Sequence, residues 1–187
     1  MTRYGLLFLL LPACLAQGYL PHDLSAGFRY EVKVGQNSYY LGGYSPGYAV
    51  KYSYRPRRWL ALEAGMEQIV RPIGAAICCE YATNADDELF LVPFGARYVW
   101  EPEGRRIRLS VGGGGAYLNH TIGNEACCYS GGASGWGGQF VAAGDYGITR
   151  SGRLRAGITV RYYYVPVSPY VNARLLTVGP DFTFSFR

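Results

Sequence analysis

The sequence predicts an all-β protein, an eight-stranded antiparallel up-and-down β-barrel. Three observations carry that prediction. Large residues alternate with small or polar ones along most of the chain, and no window longer than a few residues shows helical spacing. The alternating stretches are joined by connections that are short and long in turn. Glycine and tyrosine are both abundant, at 26 and 18 of 187 residues, more than a soluble helical protein needs. The length suits one domain.

Residues 1–16 read as a signal peptide. Arg3 supplies the positive start, "LLFLLLP" the apolar centre and "CLA" a small-residue cleavage site before Gln17. The apolar run is too short to cross a bilayer as a helix. "LPAC" is similar to a lipobox, which makes Cys14 a candidate for lipidation, although Pro12 stands where a small residue is usual. Residues 17–187 then form the barrel domain.

Strands are expected at about 27–35, 47–55, 59–70, 88–100, 106–119, 136–149, 154–165 and 174–186. Short turns fall at "PRR", "EPEGR" and "RSGR". Long connections fall at roughly 36–46, 71–87, 120–135 and 166–173. All the elaboration therefore lies at one end. Pro93 and Pro180 sit inside expected strands of a sheet without edges, so bulges are expected at both.

One face is bulky throughout: Phe28 and Tyr30, then Tyr48, Val50 and Tyr52, and later Phe94, Tyr98 and Trp100. The other carries Arg29, Glu31, Lys51, Glu63, Glu67, Arg97, Arg108, Asp145, Arg155, Arg161 and Asp181, diluted by glycines such as Gly112 and Gly114. A soluble ligand-binding barrel would place the aromatics inside; a membrane barrel would place them outside. Volume decides between them. Eight strands enclose a space barely filled by ordinary side chains, and the aromatic face is too bulky for it. Tyr54, Trp100 and Tyr146 lie near the short turns, and Tyr117, Trp136, Tyr162 and Tyr164 near the long connections. These are the two interfacial girdles of a transmembrane β-barrel.

Buried charges must then be paired. If Tyr54 and Leu60 flank the second turn, Lys51 falls opposite Glu63; Asp145 and Arg161 lie within diagonal reach on neighbouring strands. The net charge is +5, but no Lys/Arg run gives a nucleic-acid footprint. Glu63 and Glu67 form a carboxylate pair on one face, yet a filled lumen offers substrate no route to them.

The signal peptide, "LVPFGARYVW", "LSVGGGGAYL", "GWGGQFVAAGDYGIT", "AGITVRYYYV" and the closing "FTFSF" together resemble the small outer-membrane β-barrel superfamily of Gram-negative bacteria, the outer membrane protein A transmembrane-domain type. The resemblance covers nearly all of residues 17–187 and implies a bacterial outer-membrane location. It also implies a monomer in contact with outer-membrane lipid. Phe182, Phe184 and Phe186 match the family's C-terminal signal for the barrel-assembly machinery, with Arg187 an extra residue after it. Lipid A deacylases of similar architecture carry His and Ser late in the barrel. The comparable segment here is "VRYYYVPVS", where Tyr163, Tyr164 and Val165 occupy the histidine region and Ser168 remains. His22 is expected ahead of the barrel, and His120 as a polar loop residue. A serine without a base is not activated.

The remaining cysteines form two adjacent pairs, Cys78–Cys79 and Cys127–Cys128, in long connections expected outside the cell. In an exported chain they are disulfide candidates. Bridges between the two loops, vicinal or unpaired states, and a four-thiolate metal site all remain open, although structural zinc sites space their cysteines differently. "NADDE" reads as a solvated loop without EF-hand spacing. No cofactor is expected. The functional expectation is a non-enzymatic, porin-like barrel with a structural or surface-interaction role in its extracellular loops. The alternatives are an outer-leaflet lipid-modifying enzyme and a narrow small-solute channel.

Overall fold

Where alternation runs without a break, each strand pairs with its sequence neighbour, and the last returns to the first. The computed structural model describes residues 19–33, 46–78, 81–103, 106–123, 131–168 and 171–187. Its strands are β1 (His22–Lys33), β2 (Pro46–Arg57), β3 (Leu60–Cys78), β4 (Tyr81–Trp100), β5 (Ile107–Gly123), β6 (Gly131–Gly147), β7 (Leu154–Ser168) and β8 (Val171–Phe186). They form one closed antiparallel barrel in sequence order. Closure of β1 on β8 leaves no free edge. Residues 1–16, Cys14, Cys79, Cys127 and Cys128 lie outside the described residues, as does the side chain of Cys78.

The strands are longer than the sequence reading has them. β1 begins at His22, because His22 already pairs with Tyr54 on one side and Phe186 on the other. The stretch 71–87 is not a loop: β3 and β4 continue as a hairpin from Arg71↔Asp87 to Cys78↔Tyr81, so "NADDE" belongs to a strand. Gly123 of β5 is paired alongside as far up as Asp86.

Neither Pro93 nor Pro180 makes a bulge. The β4–β5 ladder runs through Pro93↔Ala116 and the β7–β8 ladder through Ile158↔Pro180 without a shift. The gap appears on the opposite side of each. β3–β4 pairing passes from Ala64↔Phe94 to Glu67↔Leu91, and β1–β8 pairing from Gly27↔Asp181 to Tyr30↔Val178. A proline lacks only the donor facing one neighbour, so each costs local pairing on that side and leaves register intact. The shifts fall elsewhere, at Tyr54/Arg57, Ile73/Ala76 and Pro166/Ser168.

The aromatic belt and the ion pairs point in opposite directions. Phe28 is 71% exposed, Trp136 67% and Phe182 55%, while Arg29, Glu67 and Arg161 are buried to 2% or less. Two glycines have specific jobs. Gly152 takes φ 69° in the turn between β6 and β7, a conformation that favours glycine. A Cβ on Gly114 would lie 2.1 Å from the Phe94 carbonyl oxygen, so β4 and β5 approach there too closely for any side chain.

Candidate functional site

The lumen is filled in two layers. Next to the short turns, alternation turns long charged side chains inward, and the bore is narrow enough for them to meet across it. Asp23 accepts from Arg108 at 2.8 Å and faces Arg55 at 3.4 Å. Arg108 also donates to Asp145 at 2.9 Å. Deeper in, Asp181 pairs with Lys51 at 2.7 Å and Arg29 at 2.8 Å, and Thr159 hydrogen-bonds it as well. Glu63 lies between Arg97 at 2.9 Å and Arg161 at 3.0 Å, and Glu67 takes Arg29 at 3.2 Å with Arg161 at 3.5 Å. Each of these five carboxylates faces at least one cation, which is what makes its burial tolerable.

Toward the long connections the lining becomes apolar. Ile69, Leu89, Leu91, Leu118, Tyr163, Val165 and Leu175 pack into one buried cluster inside the barrel. Apart from the Tyr163 hydroxyl and the buried His120, which lies opposite Leu89, the described lining at this level offers ions and water little to replace their hydration.

At the short-turn mouth, residues 19–21 cross the opening as a strap. The Arg55 amide donates to the Pro21 carbonyl at 2.7 Å, and the Tyr19 hydroxyl donates to the Arg55 carbonyl at 2.6 Å. The Arg55 guanidinium donates to the Leu20 carbonyl at 2.6 Å and lies 5.2 Å from the Tyr19 ring centroid. Beneath is a cavity of about 320 Å3, lined by Arg55, Arg155 and Glu101 among others, in which Glu101 bridges the two arginines at 3.1 and 2.8 Å. Burial pushes the Tyr19 phenol up from 10.0 to about 12, against the pull of Arg55. Since the folded value is the raised one, this contribution to stability is complete below pH 10 and is lost as pH rises through 12. A phenolate absorbance titration of the folded protein should show a tyrosine ionising near pH 12, and Tyr19→Phe should remove it.

No family model matches the chain, and no curated protein sequence does. Similar solved structures include the attachment invasion locus protein Ail of Yersinia pestis, crystallised with the heparin analogue sucrose octasulfate. It shows 14% identity and a TM-score of 0.60, over 89% of this chain and 100% of that one. Neisserial surface protein A gives 14% and 0.62 over 88% and 96%. The N-terminal barrel domain of Pseudomonas aeruginosa OprF gives 14% and 0.52 over 88% and 98%. This chain has the fold of the small outer-membrane barrels. At such identity the likeness extends to fold alone.

Within that barrel, Lys51, Glu63, Asp145 and Arg161 all face the lumen, but the expected pairs do not form. Lys51 lies opposite Gly65 and Glu63 opposite Ser53, so Lys51 takes Asp181 instead. The bulge at Tyr54/Arg57 brings Tyr54 opposite Leu62, two residues from the expected register. A slip of two keeps both side chains inward yet separates them. Asp145 lies opposite Gly157 and Arg161 opposite Val141, so Asp145 takes Arg108 while Arg161 reaches across to Glu63.

His120 is a correction: it is a buried residue of β5, 3% exposed, and no part of a loop. His22 opens β1, where its ring hydrogen-bonds the Tyr52 hydroxyl and stacks 5.4 Å from Phe186. Tyr163 and Val165 belong to the apolar layer, whereas Tyr164 faces outward. Phe182 and Phe184 face outward, with Thr183 and Ser185 turned in. Among the described residues, no group of three or more His, Cys, Asp or Glu side chains could hold a metal. The apolar layer is what the sequence reading missed. Its signal was present where both parities are apolar at once, as in "LFLV" at 89–92 and "YYYVPV" at 162–167.

Proposed function

We propose that this chain is a non-enzymatic outer-membrane protein, exported by its 1–16 leader, with a structural or surface-contact role carried at the long-connection end. One observation carries the reading: the faces are inverted relative to a water-soluble barrel. Phe28, Phe94, Trp100, Trp136, Phe140, Tyr146 and Ile158 are all more than 40% exposed, around a lumen of ion pairs. Water-soluble monomers rarely expose apolar patches beyond a few hundred Å2, whereas a lipid-facing belt needs one.

Among the described residues, ion pairs and the apolar layer occupy the bore, and Glu63 and Glu67 are held against arginines, which supports neither the channel reading nor the enzyme reading. That leaves the loop end for function. Two neighbours of this fold are themselves named for attachment and for the surface. The cysteines fit the same reading. Cys78 ends β3 at a hairpin tip, and the 124–130 connection starts beside that hairpin, since Gly123 pairs with Asp86. Bridges from Cys78 and Cys79 to Cys127 and Cys128 would brace an extracellular cap.

The test is gel migration of the detergent-folded protein, boiled and unboiled, with and without reductant. Unboiled protein should run as a compact band that shifts on heating, and reductant should slow the boiled form by releasing the loop bridges. Labelling of intact cells should reach residues 34–45 and 124–130. A chain recovered in the periplasmic fraction without detergent would overturn the proposal.

A further inference from the structure

The lipid-facing belt is not uniform around the barrel. On the β4–β5 ladder, where Tyr98 lies opposite Val111 and Trp100 opposite Leu109, the outer surface carries a groove of about 290 Å3. Tyr98, Trp100, Leu109, Ser110 and Val111 line it. Its four large side chains are each between 43% and 55% exposed. It is apolar and open to the barrel's outer surface. It lies at the short-turn end, just above the rim.

That rim is basic. The β2–β3 turn carries Arg57 and Arg58, the β4–β5 turn Arg106, and the β6–β7 turn Arg150 and Arg153. Of the two described rim glutamates, Glu101 is drawn into the mouth by Arg55 and Arg155. Glu103 faces Arg58 at 3.5 Å, with both side chains largely exposed, a pair that contributes little. The backbone at Arg106 is held firmly. Its carbonyl accepts from the Gly147 amide at 2.7 Å and from the Arg155 guanidinium at 3.3 Å. Trp59, 54% exposed, follows Arg58, and its carbonyl accepts from the Val99 amide beside Trp100. An apolar groove beneath a basic edge, flanked by tryptophans that favour the interface, has the charge pattern of one amphiphile: an acyl chain below and an anion above.

We propose that the β4–β5 face and the adjoining arginine turns form a binding surface for an anionic phospholipid. Its acyl chain occupies the Tyr98–Trp100–Leu109–Val111 groove, and its phosphate group meets Arg58 and Arg106. This rests on the membrane reading above and adds which lipid charge the short-turn side selects. Anionic lipid attracts each nearby arginine by roughly 1 kcal/mol, about a fivefold preference per residue engaged.

The test uses the full chain with Trp59→Phe and Trp136→Phe, leaving Trp100 as the fluorophore, reconstituted in phosphatidylcholine vesicles. Brominated phosphatidylglycerol should occupy the groove, read from Trp100 quenching, about 25-fold in preference to brominated phosphatidylcholine, about fivefold for each of the two arginines engaged, and the preference should shrink in high salt. Arg58→Gln with Arg106→Gln, both exposed positions, should abolish the preference while leaving phosphatidylcholine quenching unchanged. Equal quenching by the two lipids would overturn this inference alone. So would a groove shielded from both lipids in a cross-linked dimer, which would make the face an interface between copies. Absence of quenching together with failure to enter vesicles would overturn the membrane reading as well.

Discussion

Glu63→Gln should destabilise the folded barrel by about 3–5 kcal/mol, the range for breaking a buried ion pair. Glu63 is 5% exposed and holds Arg97 and Arg161 from opposite sides of the bore. The amide preserves shape and removes charge, so two guanidiniums lose the carboxylate between them; Arg161 keeps Glu67 at 3.5 Å and the Tyr163 ring at 6.0 Å. Urea unfolding in detergent micelles, followed by tryptophan fluorescence, reads the loss. Adding Arg97→Met should recover part of it, because one stranded cation is removed together with its lost partner. A single variant within about 1 kcal/mol of the parent would mean that the lumen is hydrated and that its ions are solvated independently.

Ile158→Arg should cost about 2–4 kcal/mol in a bilayer, the depth-dependent penalty for a cation on the lipid face of a barrel. The size of that effect depends on what surrounds the barrel. Ile158 is 59% exposed and lies between the Tyr146 and Tyr164 levels. In water an exposed Ile→Arg change stays within about 0.5 kcal/mol. Folding yield into vesicles, compared with Arg150→Ala on the rim, separates the two environments. Near-normal insertion of Ile158→Arg would sink the sidedness assignment.

How much of this could be read beforehand differs from element to element. Which way Phe182 or Arg161 points follows from parity, a local property that survives errors in strand ends and turn lengths. The β3–β4 hairpin is not legible as strands because "RPIGAAIC" and "NADDE" carry no alternation; backbone pairing alone makes them strands. His120 was misplaced for the same reason, since "NHTIG" looks like a turn while both neighbouring strands continue beside it. The apolar layer is hidden because Phe90, Val92 and Leu176, of the other parity, are as apolar as Leu89, Leu91 and Leu175 beside them, and alternation is then invisible there.

The amino-acid sequence alone determined the strand count, the antiparallel order and the inward or outward direction of nearly every side chain. Each depends on a two-residue period and on turns between neighbours. Only the closed structure decided partners. Whether Lys51 meets Glu63 or Asp181, and whether Asp145 meets Arg161 or Arg108, depends on the register slip at Tyr54/Arg57 and on contacts across the bore. Those distances exist only once β8 has paired with β1. Parity is a property of one strand; pairing is a property of the ring.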